Sequence, residues 1–319
     1  MFISKKTVDD LLRTAFEKIL KDGIRVKATK GWNTELSGVV LELQNPRARL
    51  SRTETKGTVF SCLGETLWYL AKTNELDFIE YYLHGYGKFS DDGRTIYGGY
   101  GPLFFKMHGE VDQIASVVRL LSRKRSTRQA VIQLFDAKDI LKPHKDVPCT
   151  CSIQLLVRRN KLHMFTYMRS NDAYLGLPHD IFAFTFLQEI LARTLGADLG
   201  RYWHATASLH LYETDYSKVN RFLKEGWQST TIAMPAMPSG NPWPSVTKLL
   251  VAEEKIRRGS KVIVGKTGLS NYWADLVRLL QIYGSAQRRQ IIDIGSDMVS
   301  DVYNAYIEKR ANVVSKKRG

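Results

Sequence analysis

Residues 181–195 carry apolar side chains on nearly every face. A helix built from them has no side to offer to water, so it belongs in the middle of a fold with other elements packed around it. The chain can supply them, since 319 residues at 44% hydrophobic content bury a sizeable core without staples. Strands are predicted over residues 35–43, 130–135, 151–157 and 162–167, the last two joined by a hairpin turn at Asn160 and Lys161. Val8, Leu11, Leu12, Phe16 and Ile19 recur at helical spacing and predict a first amphipathic helix. Residues 60–70 predict an apolar helix that encloses one acid, Glu65, and a buried carboxylate needs a reason to be there. The mixture of elements predicts an α/β fold.

Glycine-rich residues 85–101, with Gly98, Gly99 and Gly101 around Tyr100, predict a loop that does not match the fingerprint of dinucleotide-binding folds. Residues 234–244 predict another, rich in proline. It separates a main domain, 1–244, from a helical extension, 245–319, expected to pack on it. One extension helix presents Trp273, Leu276, Val277 and Leu280, the other Val299, Val302, Tyr303 and Tyr306. Lys309, Arg310, Lys316, Lys317 and Arg318 predict a frayed, solvated end.

The 47 basic and 32 acidic residues leave a formal charge of +15. Such an excess either hydrates the surface or favours anionic partners, among them nucleotides, polyglutamylated cofactors and nucleic acid. Three cysteines, Cys62, Cys149 and Cys151, do not make a disulfide framework, and the first residues do not read as a signal peptide, so a cytoplasmic setting is expected. No stretch approaches the roughly 20 apolar residues that cross a bilayer. Neither a membrane partner nor a metal site is expected.

Cys149 follows Asp146-Val147-Pro148 at a strand entrance, and Arg169-Ser170-Asn171-Asp172 and Leu175-Gly176-Leu177-Pro178-His179-Asp180 come soon after. Thiol, cation, hydroxyl and acids thus crowd one stretch. With Gln154, the later pair His210 and Tyr212, Glu65 in its apolar helix and Tyr100 in its glycine turn, the order and spacing resemble the thymidylate synthases and the related pyrimidine-nucleotide hydroxymethylases. The resemblance is dense from Phe60 to Tyr212 and nearly absent after Pro244.

The resemblance implies a mixed sheet with surrounding helices and a homodimer packed sheet to sheet, sharing active sites. It implies a pyrimidine nucleoside monophosphate as substrate and 5,10-methylenetetrahydrofolate as one-carbon donor. Cys149 would add to carbon 6 of the ring and so make carbon 5 a nucleophile, its thiolate favoured by Arg169, which would also bind the substrate phosphate with Ser170. Arg128 would reach the partner's phosphate. Glu65 would manage protons, Tyr100 would help remove the carbon 5 proton, and Gln154 would orient the network. His210 and Tyr212 would reach the sugar hydroxyl, and Asp172 the pterin ring of the folate.

Departures refine this picture. Asp180 stands where thymidylate synthases carry asparagine; it either reads a cytosine edge, as in the cytidylate hydroxymethylases, or caps the following helix. Tyr86 and Phe89 occupy the positions of shielding tryptophans, and the closing apolar tail of the family is replaced by Ser-Lys-Lys-Arg-Gly, so water is expected to capture the one-carbon intermediate. Thr127 takes the place of an arginine, with Arg125 as a candidate substitute, and Arg25 or Lys27 is the candidate for an N-terminal phosphate contact. The expected function is folate-dependent C5-hydroxymethylation of dCMP or CMP. The alternatives are a divergent thymidylate synthase acting on dUMP and a non-catalytic nucleotide- or nucleic-acid-binding homologue.

Overall fold

A computed structural model describes residues 1–287 and 297–316. In chain order the elements are β1 (Phe2–Lys5), α1 (Val8–Asp22), β2 (Ile24–Ala28), β3 (Gly31–Leu43), α2 (Val59–Leu70), α3 (Leu76–Tyr82), α4 (Tyr100–Phe105), α5 (Gln113–Arg123), β4 (Val131–Gln133), β5 (Thr150–Arg158), β6 (Lys161–Met168), β7 (Asn171–Asp172), α6 (Gly176–Thr194), β8 (Asp198–Tyr212), α7 (Tyr216–Lys224), α8 (Trp243–Arg257), α9 (Asn271–Gln287) and α10 (Asn304–Lys316). The strands form one mixed sheet in the order β1-β3-β8-β6-β5-β4, with β2 on β3 and β7 on β8. β8 runs antiparallel to β3 and parallel to β6. The expected α/β class and mixed sheet are what the chain adopts.

The apolar helix lies where its composition requires: Ile181, Phe182, Phe184, Phe186, Ile190 and Leu191 of α6 are all enclosed. Its start is earlier than residue 181, so the Leu-Gly-Leu-Pro turn forms its first turn and Asp180 sits inside the helix. Leu175, not Asp180, holds the N-cap position, which removes the capping explanation for that acid. The hairpin between β5 and β6 turns one residue earlier than expected. Arg159 and Asn160 take the left-handed conformation, at φ 47° and 56°, and Lys161 already pairs with Arg158; two central residues of that hand match the strand twist.

Residues 85–101 are not loop throughout, because Tyr86–Phe89 forms a short 3-10 turn and α4 begins at Tyr100. Beyond the proline-rich loop there are three described helices rather than two. The additional one is α8, and its first turn carries Pro244, where a missing amide costs nothing. Val299 lies outside α10, exposed, its amide donating to Asp275 Oδ1. α8, α9 and α10 join the same core as the sheet, with Trp243 of α8 edge-on against Phe105 and Trp273 of α9 against Phe186. The basic end is not frayed as far as it is described: Lys309 Nζ donates to Glu54 O and the Arg310 guanidinium lies 4.8 Å from the Tyr283 ring centroid. Lys317 and Arg318 fall outside the described residues.

Candidate active site

Strand pairing brings the thiol and its cation together. Thr150 pairs with Met168 across β5 and β6, and the next amide, Arg169 N, donates to Cys149 O at 2.9 Å. The guanidinium then folds back onto the turn before the cysteine: Nε donates to Pro148 O at 3.0 Å, Nη2 donates to Val147 O at 3.1 Å, and Nη2 lies 3.6 Å from Sγ. These bonds hold the arginine plane and the sulfur in one register. The expected lowering of the thiol pKa is not what this arrangement produces. Burial pushes Cys149 up to about 11, and the nearby carboxylates of Asp146 and Asp180 add to the rise, against the cations of Arg169 and Lys30. The free chain therefore holds a protonated thiol at neutral pH.

Asp180 is enclosed, and its charge reaches the cysteine. Asn171 Nδ2 donates to its Oδ2 at 2.7 Å, Asn171 Oδ1 lies 3.1 Å from His204 Nε2, and His204 Nδ1 lies 2.9 Å from the Tyr202 hydroxyl. The amide of Asn171 fixes the polarity of this chain: its oxygen needs a proton on His204 Nε2, which leaves Nδ1 to accept from Tyr202. Burial raises the Asp180 carboxyl well above the usual carboxylate range, and the charges of Glu65 and Asp172 reinforce the shift. A neutral acid donates through one oxygen and accepts through the other.

Glu65 projects from α2, where Tyr69 donates to its Oε1 at 2.6 Å, and burial pushes it up to about 7. Tyr100, at the start of α4, is held through its hydroxyl by Thr150 N at 3.1 Å and Thr150 Oγ1 at 2.9 Å. On the other side of the site, β7 pairs with β8 so that Asp172 stands beside His210. Ser170 Oγ lies 3.5 Å from His210 Nδ1, and the ring of His210 packs edge-on to Tyr212. Asp172 Oδ1 accepts from Tyr174 N and Leu175 N, both at 2.8 Å, while Oδ2 accepts nothing among the described residues. A carboxylate oxygen held this way suits the amide and amine edge of a pterin, so the residues present fit a folate.

Cys149, Arg169, Asp172, Asp180, Glu65, Tyr100 and Tyr212 thus feel one another's charges, and Ser170 and His210 join this cluster beside Asp172. Gln154 does not join it. Its amide donates to Arg128 O at 2.8 Å, and it pairs with Phe165 across the strands on the outer face of the sheet. Arg128 is exposed, its carbonyl taken by Gln154. Arg125 donates to Asn160 Oδ1 and Leu195 O. Arg25 is spent on Glu213, at 2.6 Å, and with Lys27 lies over Trp32. The cation whose field does reach Cys149 and His210 is Lys30, in the turn between β2 and β3. Sequence reasoning misses it because no motif marks it. Asp146 reads in the sequence only as part of the lead-in to the cysteine, yet its charge bears on Cys149, Glu65 and Tyr86.

Residues 13–238 match the thymidylate synthase family. The chain belongs to that family. Among its curated relatives are a deoxyuridylate hydroxymethyltransferase of Delftia phage PhiW-14, 30% identical over 69% of this chain and 64% of the relative, and one of Bacillus phage SP01, 30% identical over 65% and 56%. A thymidylate synthase of Listeria monocytogenes is 28% identical over 45% of this chain and 46% of the relative. The chain therefore matches less than two thirds of the length of each of these proteins. All the cluster residues named above fall inside the matched stretch, and α8, α9 and α10 lie outside it.

Proposed function

We propose that the chain transfers a one-carbon unit to carbon 5 of a pyrimidine nucleoside monophosphate and leaves it as a hydroxymethyl group, with cytidylate, dCMP or CMP, as the preferred substrate. The observation that carries this reading is the enclosed Asp180, held by Asn171, raised by burial well above the usual carboxylate range and within electrostatic reach of Cys149. Its hydroxyl matches the bare nitrogen 3 of cytosine and its carbonyl oxygen the exocyclic amine.

In this reading Cys149 adds to carbon 6, with Arg169 and Lys30 supplying the positive field for the thiolate and for the substrate phosphate. Glu65, titrating near neutrality, can hold or release a proton at the amino edge of the ring. His210, Tyr212 and Ser170 bind the sugar and phosphate, and Tyr100, anchored by Thr150, faces the carbon 5 proton. Methylenetetrahydrofolate, bound against Asp172, supplies the carbon at the oxidation level of formaldehyde. Where an indole would exclude water, Tyr86 offers a half-buried phenol that feels the charges of Glu65 and Asp146, and its polar hydroxyl favours capture of the carbon by water. Exposed Val131, Phe165 and Tyr167 on the outer sheet face, beside Arg128, support a two-fold dimer in which that arginine serves the partner's site.

A second reading has a specific basis. A neutral acid also pairs with uracil, donating to oxygen 4 and accepting from nitrogen 3, and two relatives are named for deoxyuridylate. The test is tritium release from carbon 5 of dCMP and of dUMP with the folate present, followed with the absorbance of dihydrofolate. Release from dCMP without dihydrofolate supports the proposal. Release from dUMP alone supports the second reading, and dihydrofolate formation marks a methylating enzyme.

A further inference from the structure

Asp146 is a fourth acid at the site, after Glu65, Asp172 and Asp180, and none of the roles above gives it a proton to move. It precedes Cys149 by three positions, and Arg169 clamps the two carbonyls between them, Val147 O and Pro148 O. The backbone that carries the acid is therefore held by the same guanidinium that lies against the thiol. Across from it the chain carries Gly98: a β-carbon there would lie 2.6 Å from Asp146 Oδ2 and 3.0 Å from Val147 C. The carboxylate fills the space that a side chain at position 98 would need. Asp146 is half-buried and accepts no hydrogen bond from any described residue, although it is flanked by the charges of Lys30 in the β2–β3 turn, Arg169 after β6 and Asp91, which is itself held by His144 and Lys145. Its own charge falls on Glu65 of α2, on the Tyr86 phenol and on the Cys149 thiol. A carboxylate with open lone pairs, packed against Gly98 and within electrostatic reach of the nucleophile and Glu65, is placed to hold a water.

We propose that Asp146 is the base that takes the proton from the water that captures the one-carbon unit on carbon 5. The step rests on the hydroxymethylating reading above. Water oxygen bonds to the exocyclic methylene carbon, the methylene π pair moves into the ring as an enolate or its amino counterpart, and the water proton passes to the Asp146 carboxylate. The ring pair then restores the carbon 5–carbon 6 double bond and expels Cys149 as thiolate. No oxidant or reductant is consumed. Burial raises Asp146 to about 6, against the pull of Lys30 and Arg169, which makes it a stronger base than an ordinary aspartate and leaves it ionised at neutral pH. Glu65, raised further, keeps the proton traffic at the ring edge, so the two acids divide the work.

The test compares the native chain with Asp146→Asn and Asp146→Glu. In a single turnover, with enzyme in excess over nucleotide, Asp146→Asn should still release tritium from carbon 5 while hydroxymethylated product forms at least about 100-fold more slowly, the span typical of a lost general base, and Asp146→Glu should recover part of that rate. A second readout needs neither nucleotide nor folate. Removing the Asp146 charge should move the pH midpoint of Cys149 alkylation by iodoacetamide downward, because that charge now opposes the thiolate. Hydroxymethylation by Asp146→Asn at the native rate overturns the assignment while leaving the hydroxymethylating reading intact. Joint loss of tritium release and product also overturns it, because Asp146 would then act before capture. A methylated product from the native chain overturns both.

Discussion

Single side chains carry the chemistry, and their environments set the sign of each expectation. Cys149→Ser should abolish turnover while leaving nucleotide affinity within a few-fold of native, measured by calorimetric titration, because the phosphate and sugar contacts do not run through sulfur. Asp180→Asn exchanges an acid for an amide that donates and accepts with fixed polarity. It should shift the ratio of kcat/KM for cytosine over uracil nucleotides toward uracil by about 100-fold or more, the scale set by leaving a buried polar group unpaired. Glu65 gives a pH signature. Its folded pKa of about 7 exceeds the ordinary 4.5, so the unfolded chain binds fewer protons between those values and stability is lost as pH rises through that window. Glu65→Gln keeps the Tyr69 contact and removes the titration. Its melting temperature should match the native one near pH 4 and exceed it above pH 7, by a free energy of at most about 3 kcal/mol, while activity is lost.

Elements place these side chains, and their legibility in the sequence is uneven for physical reasons. α1, α2, α6 and the β5–β6 hairpin stand close to where periodicity and turn chemistry put them, because α1 has one clear apolar face, α2 and α6 are apolar almost all round, and the hairpin strands alternate. β8 does not declare itself. His204, Thr206 and His210 occupy its buried face, so the polar groups that serve the site erase the alternation by which a strand is recognised. Lys30 and Asp146 escape notice for a related reason: each becomes meaningful only when distant turns meet. The thiol pKa runs against expectation because the neighbouring cation is visible in the order of residues and the depth of burial is not. The helix at the centre also depends on one ion pair. Arg49 bonds Glu189 of α6, both enclosed, and Glu189 Oε1 accepts Met237 N at 2.9 Å from the proline-rich loop. Arg49→Met should cost about 3–5 kcal/mol in chemical unfolding, since it strands a buried charge.

Taken as an assembly, the chain is proposed to complete its sites in pairs. Arg128 is exposed, on the sheet face that carries Phe165 stacked on Trp203 at 4.3 Å between ring centroids. If that face joins two copies, inactive Arg128→Ala and inactive Cys149→Ser proteins should regain activity on mixing, approaching about a quarter of native, because hybrid pairs contain one intact site. Sedimentation of Phe165→Asp should then show single chains. The formal charge of +15 enters here as a steering field for phosphorylated substrates, which added salt should weaken.

The most direct test of the account offers dCMP, CMP, dUMP and UMP together with methylenetetrahydrofolate and identifies the products by mass. A cytosine nucleotide with its carbon 5 hydrogen replaced by a hydroxymethyl group should form with the native chain and not with Cys149→Ser. A product confined to the uracil nucleotides, or one bearing a methyl group, would contradict it.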